Sequence, residues 1–258
     1  MELREHTEGG YRFLATSPRA PYSAGVVALP GHEIVHATLR RPVAVAEGFR
    51  LIERHLQSLG RLRAALCGVE LRGAAPYTPE EWSAPSGFNE RYRAVLREWG
   101  LFVDGYPAVA RTNVVPVVQP PDEQVFHAFS YTVPLSRLQP AEAATAAAAP
   151  HRSTFVTSGA PEAQAMWASE VSVDERLLSC LDAIGGAVTA LGHTWDDATA
   201  IDVYLREGIS TVLAQAALER IGGAAGRGLH WYLTKTPLIG PYLEADARGV
   251  WQEVQVDA

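Results

Sequence analysis

Two kinds of apolar spacing alternate along the chain, and their order repeats. Phe49, Ile52, Leu56 and Leu59 recur at the 3.6-residue period and stop at Gly60, which predicts an amphipathic helix closed by a glycine. Leu177, Leu181, Ile184, Val188 and Leu191 follow the same rule and stop at Gly192. After a short polar stretch, each helix leads into an alternating run that predicts a strand, 65–71 and 199–205. A shift of 132 positions superposes Leu59 and Gly60 on Leu191 and Gly192, and Val69 and Leu71 on Ile201 and Val203. A second helix follows in each half, marked by Phe88, Tyr92, Val95 and Trp99, and more weakly by Val212 and Ala216. Closing strands are expected at 113–118 and 125–133, and again at 229–234 and 242–250. Strand material precedes the first helix of each half, at 25–29 and 33–39, and at 153–157.

Strands, helix, strand, helix, strands in each half describe an α+β layer, a mixed sheet covered on one face by two helices. Between the halves, residues 139–152 include a low-complexity Ala/Pro run from Gln139 to Pro150 that suits a connector; an exposed Ala-rich helix is the alternative. The expected division is a first repeat over 1–138, a linker over 139–152 and a second repeat over 153–258.

Composition fits this division. The chain has 258 residues, 47% hydrophobic and 20% charged, enough for two globular domains of about 130 residues each. A net charge of −7 argues against a nucleic-acid partner, and no polybasic segment offers itself to a membrane surface. No apolar run approaches the ~18 residues of a membrane span, and the charged start from Met1 to His6 lacks the order of a signal peptide. The expected compartment is the cytoplasm. The single lysine, Lys235, reads as a solvated charge beside a turn, which speaks against Schiff-base chemistry. Cys67 and Cys180 are too few for a disulfide framework and read as small buried hydrophobes.

Several short motifs lose their chemistry in context. His32, Glu33 and His36 match H-E-x-x-H, but that zinc pattern needs a helix, and the neighbours Val26, Val27, Ile34 and Val35 predict strands around a Pro30-Gly31 turn. No metal site is therefore expected. The glycine-rich stretch 222–228 follows a helix instead of opening one, so it reads as a loop and not a phosphate cradle. Arg111, at the start of a strand, is a surface charge in the ordinary reading; at the mouth of a cleft its rigid fork would bind a carboxylate. Asn89 is read as a local helix cap. Glu244 and Asp246 alternate with Leu243, Ala245 and Ala247, and their shared face reads more readily as solvent than as a site.

Ala20-Pro21-Tyr22 with Gly25, the helix start Phe88-Asn89-Glu90-Arg91-Tyr92, Ala110-Arg111, the strand from Phe155 to Gly159, and the closing strand from Leu243 to Ala247 together resemble the RidA/YjgF family of enamine/imine deaminases. The resemblance spans nearly the whole chain, taken twice, and the tandem form is similar to the two-repeat aminomuconate deaminases of aromatic-compound breakdown. It implies two tandem RidA-like, chorismate-mutase-like domains. Neither half keeps the family's full set of residues. The first retains Tyr22, Asn89 and Arg111, and the second retains Ser158 and Glu244; Leu229-His230, Leu213, Ala37 and Phe126-His127 stand where other family residues would be.

The resemblance thus implies a composite site that hydrolyses an enamine or imine of a small carboxylic acid to a 2-oxo acid and ammonia. In it Arg111 pairs with the substrate carboxylate, and Glu244 activates water and returns a proton. Asn89 and Ser158 add polar contacts, Tyr22 walls the pocket, and His127 or His230 is a further candidate for proton handling. No metal or organic cofactor is implied, because an imine is already activated. The expected assembly is a homotrimer, its six repeats forming two stacked rings of three. A chorismatase-like or cyclase enzyme of secondary metabolism on the same fold, and a non-catalytic carboxylate-binding protein, remain alternative readings.

Overall fold

The computed structural model describes residues 1–135, 153–167, 170–208 and 210–257; the whole of the expected linker, 139–152, lies outside them. The first half opens with β1 (Glu2–His6), β2 (Tyr11–Ala15), β3 (Gly25–Ala28) and the long β4 (His32–Ala44). It continues through helix α1 (Val45–Ser58), β5 (Leu66–Arg72), the short α2 (Pro79–Ser83) and α3 (Phe88–Glu98). A two-stranded ribbon, β6 (Phe102–Val103) and β7 (Tyr106–Pro107), precedes β8 (Ala110–Pro116) and β9 (Val125–Pro134). The second half holds β10 (Phe155–Thr157), β11 (Ala160–Pro161), α4 (Val173–Ala190), β12 (Ala200–Leu205), α5 (Thr211–Ile221), β13 (His230–Lys235), β14 (Leu243–Gly249) and β15 (Gln252–Val256). The helices end where the glycines said they would, Gly60 at φ +58° and Gly192 at φ +87°, a region that favours glycine.

The pairing pattern occurs twice. In the first half the sheet order is β8-β5-β9-β4, and in the second β13-β12-β14-β10. Within each block the β5/β8 or β12/β13 pair is parallel and the others are antiparallel. The blocks join where β13 runs antiparallel to β8, pairing Thr234 with Pro116 and Lys235 with Val115. The chain ends are exchanged: β3 from the N-terminal segment extends the second block beside β10, and β15 from the C-terminus extends the first beside β4. Three outer strands, β1, β2 and β15, were not anticipated from the sequence.

Alternation along the strands explains the layers. Val69 and Leu71 of β5 face α1 and α3, joining Phe49, Ile52, Leu56, Tyr92 and Leu96 in one core. Ile201, Val203 and Leu205 of β12, with Leu243, Ala245 and Ala247 of β14, face α4 and α5 in a second. The opposite faces turn toward each other across the interior. There a third apolar core forms around Phe13, Val26, Ile34, Cys67, Ala110 and Val156. A bridge between Ser23 and Ala110 helps close the sheet on itself. The interior strand faces also carry charge: Glu244 and Asp246 are 4% and 5% exposed, so the face first assigned to solvent is buried between the two blocks. Among the described residues no helix is long and apolar enough to cross a membrane. The H-E-x-x-H run lies in β4, as its neighbours indicated.

Candidate active site

Arg111 occupies a costly position. It lies at the start of β8, 2% exposed, with Tyr22, Trp82, Phe88 and Tyr92 rings all within 5.9 Å of its guanidinium carbon. These rings offer cation–π attraction but no anion. Its Nη1 donates to Asn89 Oδ1 at 3.0 Å, while Nε and Nη2 have no partner. Among the described residues Arg111 forms no ion pair. Burial draws its pKa down, although the neighbouring Tyr92, Tyr22 and Glu244 oppose that. A buried cation with free donors costs several kcal/mol, on the order of 1–3 for each unmet hydrogen bond, unless a ligand supplies the anion.

Asn89 does not cap its helix. Gly87 stands at the N-cap of α3, and Asn89 instead accepts from Arg111 and donates Nδ2 to the carbonyl of Trp82 at 2.9 Å. It therefore fixes both the cation and the aromatic loop that covers it. Ser158 fixes the other side of β8. Its Oγ accepts from the Arg111 amide at 2.8 Å and donates to the Ser23 carbonyl, so both its roles go to backbone.

Glu244 of β14, in the second half, shares a cavity of about 170 Å³ with Arg111 and Tyr22. Burial pushes its carboxyl up to about 8, despite the lowering effects of Arg111 and of the Asn113 backbone N–H that it accepts. At neutral pH the site thus holds a guanidinium beside a protonated acid. Gly159 makes room for that acid: a Cβ there would lie 1.8 Å from Glu244 Oε1. Trp82 and Trp167 add aromatic walls, and Asn113, Pro237 and Leu238 complete much of the lining. The roof joins loops from both halves, with Tyr77 N–H donating to Pro237 O at 2.7 Å and Ile239 N–H to Tyr77 O at 2.9 Å.

Of the sequence candidates, Arg111, Glu244 and Tyr22 line the cavity, Asn89 touches Arg111, and Ser158 braces the strand beneath it. His127 and His230 do not line it. His230 pairs with Asp202 across β12/β13 as Thr112 pairs with Glu70 across β5/β8, so it is the counterpart of Thr112 and not of Arg111. His127 sits in a register shift of β9, between the partners of Glu70 and Leu71. Both belong to a separate charged cluster. Asp202 accepts from Arg248 Nη1 at 2.6 Å and pairs with His230 Nδ1 at 2.7 Å, and Arg248 Nε donates to Glu253 at 2.8 Å. Asp246 accepts from Thr112 at 2.5 Å and Tyr204 at 3.1 Å, while Glu70 lies 3.4 Å from Arg72 and 3.6 Å from His36. Burial, aided by Arg72, brings His127 down to about 4, so it is neutral at pH 7. Trp82, Trp167 and Asn113 were not singled out from the sequence; only their place in the strands and loops around Arg111 could have drawn attention to them.

A family model described as 2-aminomuconate deaminase CnbZ matches residues 3–254. The chain belongs to that family. It is 34% identical over 255 residues to the 2-amino-5-chloromuconate deaminase of Comamonas testosteroni, covering 95% of each chain. Among solved structures, a member of the YjgF/YER057c/UK114 family from Mycobacterium tuberculosis is 19% identical, covering 40% of this chain and 89% of its own, with a TM-score of 0.28. A chorismatase is 12% identical over 88% of this chain and 77% of its own, with a TM-score of 0.42. Family membership makes the chain a C–N hydrolase of the aminomuconate-deaminase type, acting on a small carboxylate.

Proposed function

We propose that this cavity deaminates 2-aminomuconate, or a ring-cleavage product substituted like the relative's chlorinated substrate, and that Arg111 and Glu244 carry the reaction. The observation that supports this most is the buried Arg111 fork with two free N–H groups beside a carboxylic acid held neutral. The 1-carboxylate takes Nε and Nη2 in a two-point contact, which places C2 toward Glu244. The Glu244 acid protonates the enamine carbon chain, and the nitrogen lone pair forms the C2=N bond of an iminium. The resulting carboxylate takes a proton from water as the water oxygen bonds to C2. It passes that proton to the amino nitrogen, then accepts the hydroxyl proton as the C–N bond breaks and C2=O forms. Ammonia and a 2-oxo acid leave, and Glu244 is again protonated. A group with a pKa near the working pH serves in both directions.

The site takes Arg111 from one half and Glu244 from the other. That supports reading the chain as two RidA-like repeats, divided near 139–152, neither sufficient alone. A homotrimer in the cytoplasm belongs to the same proposal, and sedimentation of the purified protein tests the assembly. For the chemistry, the test is ammonia release from 2-aminomuconate by the wild type, by R111A and by E244Q. Turnover in the wild type with loss in both variants supports the assignment, and full activity in R111A overturns it.

A further inference from the structure

We propose that Asn113 holds the water oxygen that attacks C2, and keeps hold of it until it becomes the 2-oxo oxygen. This rests on the deaminase reading of the same cavity. Asn113 is two residues beyond Arg111 on β8, so both side chains leave the strand on the same face, and both line the cavity with Glu244. It is 3% exposed. Its Oδ1 accepts from Gln124 Nε2 at 2.6 Å, and Gln124 Oε1 in turn accepts from the Tyr77 hydroxyl at 3.3 Å. That chain fixes which end of the amide is used outside the cavity. The other end, Nδ2, is buried and has no partner. Its backbone N–H meanwhile donates to Glu244, so donor and acid are anchored on one residue.

An unpaired buried amide donor needs an acceptor. The substrate carboxylate is already matched by the two free N–H groups of Arg111. The iminium nitrogen carries only protons and accepts nothing. Among the reacting atoms, the acceptor that remains is the incoming oxygen, first as water, then as the carbinolamine hydroxyl, then as the carbonyl. A donor there and a carboxylate alongside would hold a water by one lone pair and one proton, which fixes the remaining lone pair on C2. Asn113 transfers no proton itself.

The test separates water addition from the proton transfers to carbon that precede it. In D2O, reversible protonation by Glu244 places deuterium at C3 or C5 of recovered 2-aminomuconate, a step that does not need the water. N113L removes the donor at nearly constant volume. Its kcat for ammonia release should fall about 10²-fold, as for other lost transition-state donors, while KM changes by less than about threefold and deuterium uptake persists. Q124A leaves Asn113 in place but frees its amide, and should lower kcat by about tenfold with the same uptake. The inference is overturned if N113L keeps kcat within about threefold of the wild type, or if only its KM rises, which would place the amide on the carboxylate. Loss of deuterium uptake in both variants would also overturn it, by making Asn113 a support for Glu244 alone. Absence of ammonia release by the wild type would instead remove the deaminase reading beneath it.

Discussion

Arg111 and Arg248 both extend from strands that border the protein interior, and they differ in what meets them. Arg248 finds Asp202 at 2.6 Å and Glu253 at 2.8 Å; burial works against its charge, yet Asp202 and Glu70 raise its pKa above the ordinary value. Around it Asp246 and Glu70 have donors or cations of their own. Arg111 has an amide oxygen, four aromatic rings and two empty N–H positions, and the carboxyl that shares its cavity is neutral. The first region is complete without a ligand, and the second is not. The contrast explains why histidines in the charged cluster are poor candidates for catalysis: their carboxylate neighbours are already engaged in the fold.

The comparison can be broken most severely at Glu244. E244Q keeps the shape and removes the proposed proton relay, so kcat for ammonia release should fall by roughly 10²–10⁴ in a steady-state assay. The two arginines should fail in different ways. R111A should lose about 2–5 kcal/mol of transition-state binding, read in kcat/KM. R248A should leave buried Asp202 without its closest cation and cost about 3–5 kcal/mol of stability, read by urea unfolding, with a far smaller effect on turnover. G159A should push the Glu244 carboxyl out of place and lower kcat by about 10²-fold, since the added carbon and Oε1 cannot occupy the same space.

Acidity sharpens the contrast further. In the proposed reaction free Glu244 starts as the acid, so kcat/KM should be level near neutrality and decline as pH rises through about 8. The same raised pKa bears on stability. Between the ordinary carboxyl value of 4.5 and about 8, the folded protein keeps a proton that the unfolded chain releases, so this component of stability falls as pH rises. E244Q should remove that component from a series of unfolding curves against pH. The smallest effect is expected at His230, whose side chain is 55% exposed: H230A should change stability by less than about 1 kcal/mol and leave kcat unchanged.

The layers were legible because their signals are local. A 3.6-residue stripe ending at Gly60 or Gly192, followed by alternation through Val69 and Leu71 or Ile201 and Val203, announces a helix and the strand beneath it, twice. The outer strands were not legible, since Glu2–His6 has little apolar alternation and Gln252–Val256 pairs with β4 at the far end of the chain. Arg111 and Glu244 could be named from their motifs, but their meeting in one cavity depends on how the two blocks close over each other. The same closure reverses the reading of the Glu244/Asp246 face: alternation shows that a strand has two faces, and cannot show that both are covered. His230 was misplaced by one position, a distinction that only the pairing of Asp202 with His230 resolves. Asn113 carries no local signal at all, because its partner Gln124 lies beyond the turn that joins β8 to β9.

A crystal structure with a bound muconate would show whether Arg111 and Glu244 meet the same ligand. One carboxylate should lie within about 3 Å of both Arg111 Nε and Nη2, with the next carbon facing Glu244. A muconate seated in the Arg248 cluster, with the Arg111 N–H groups still unmet, would contradict it.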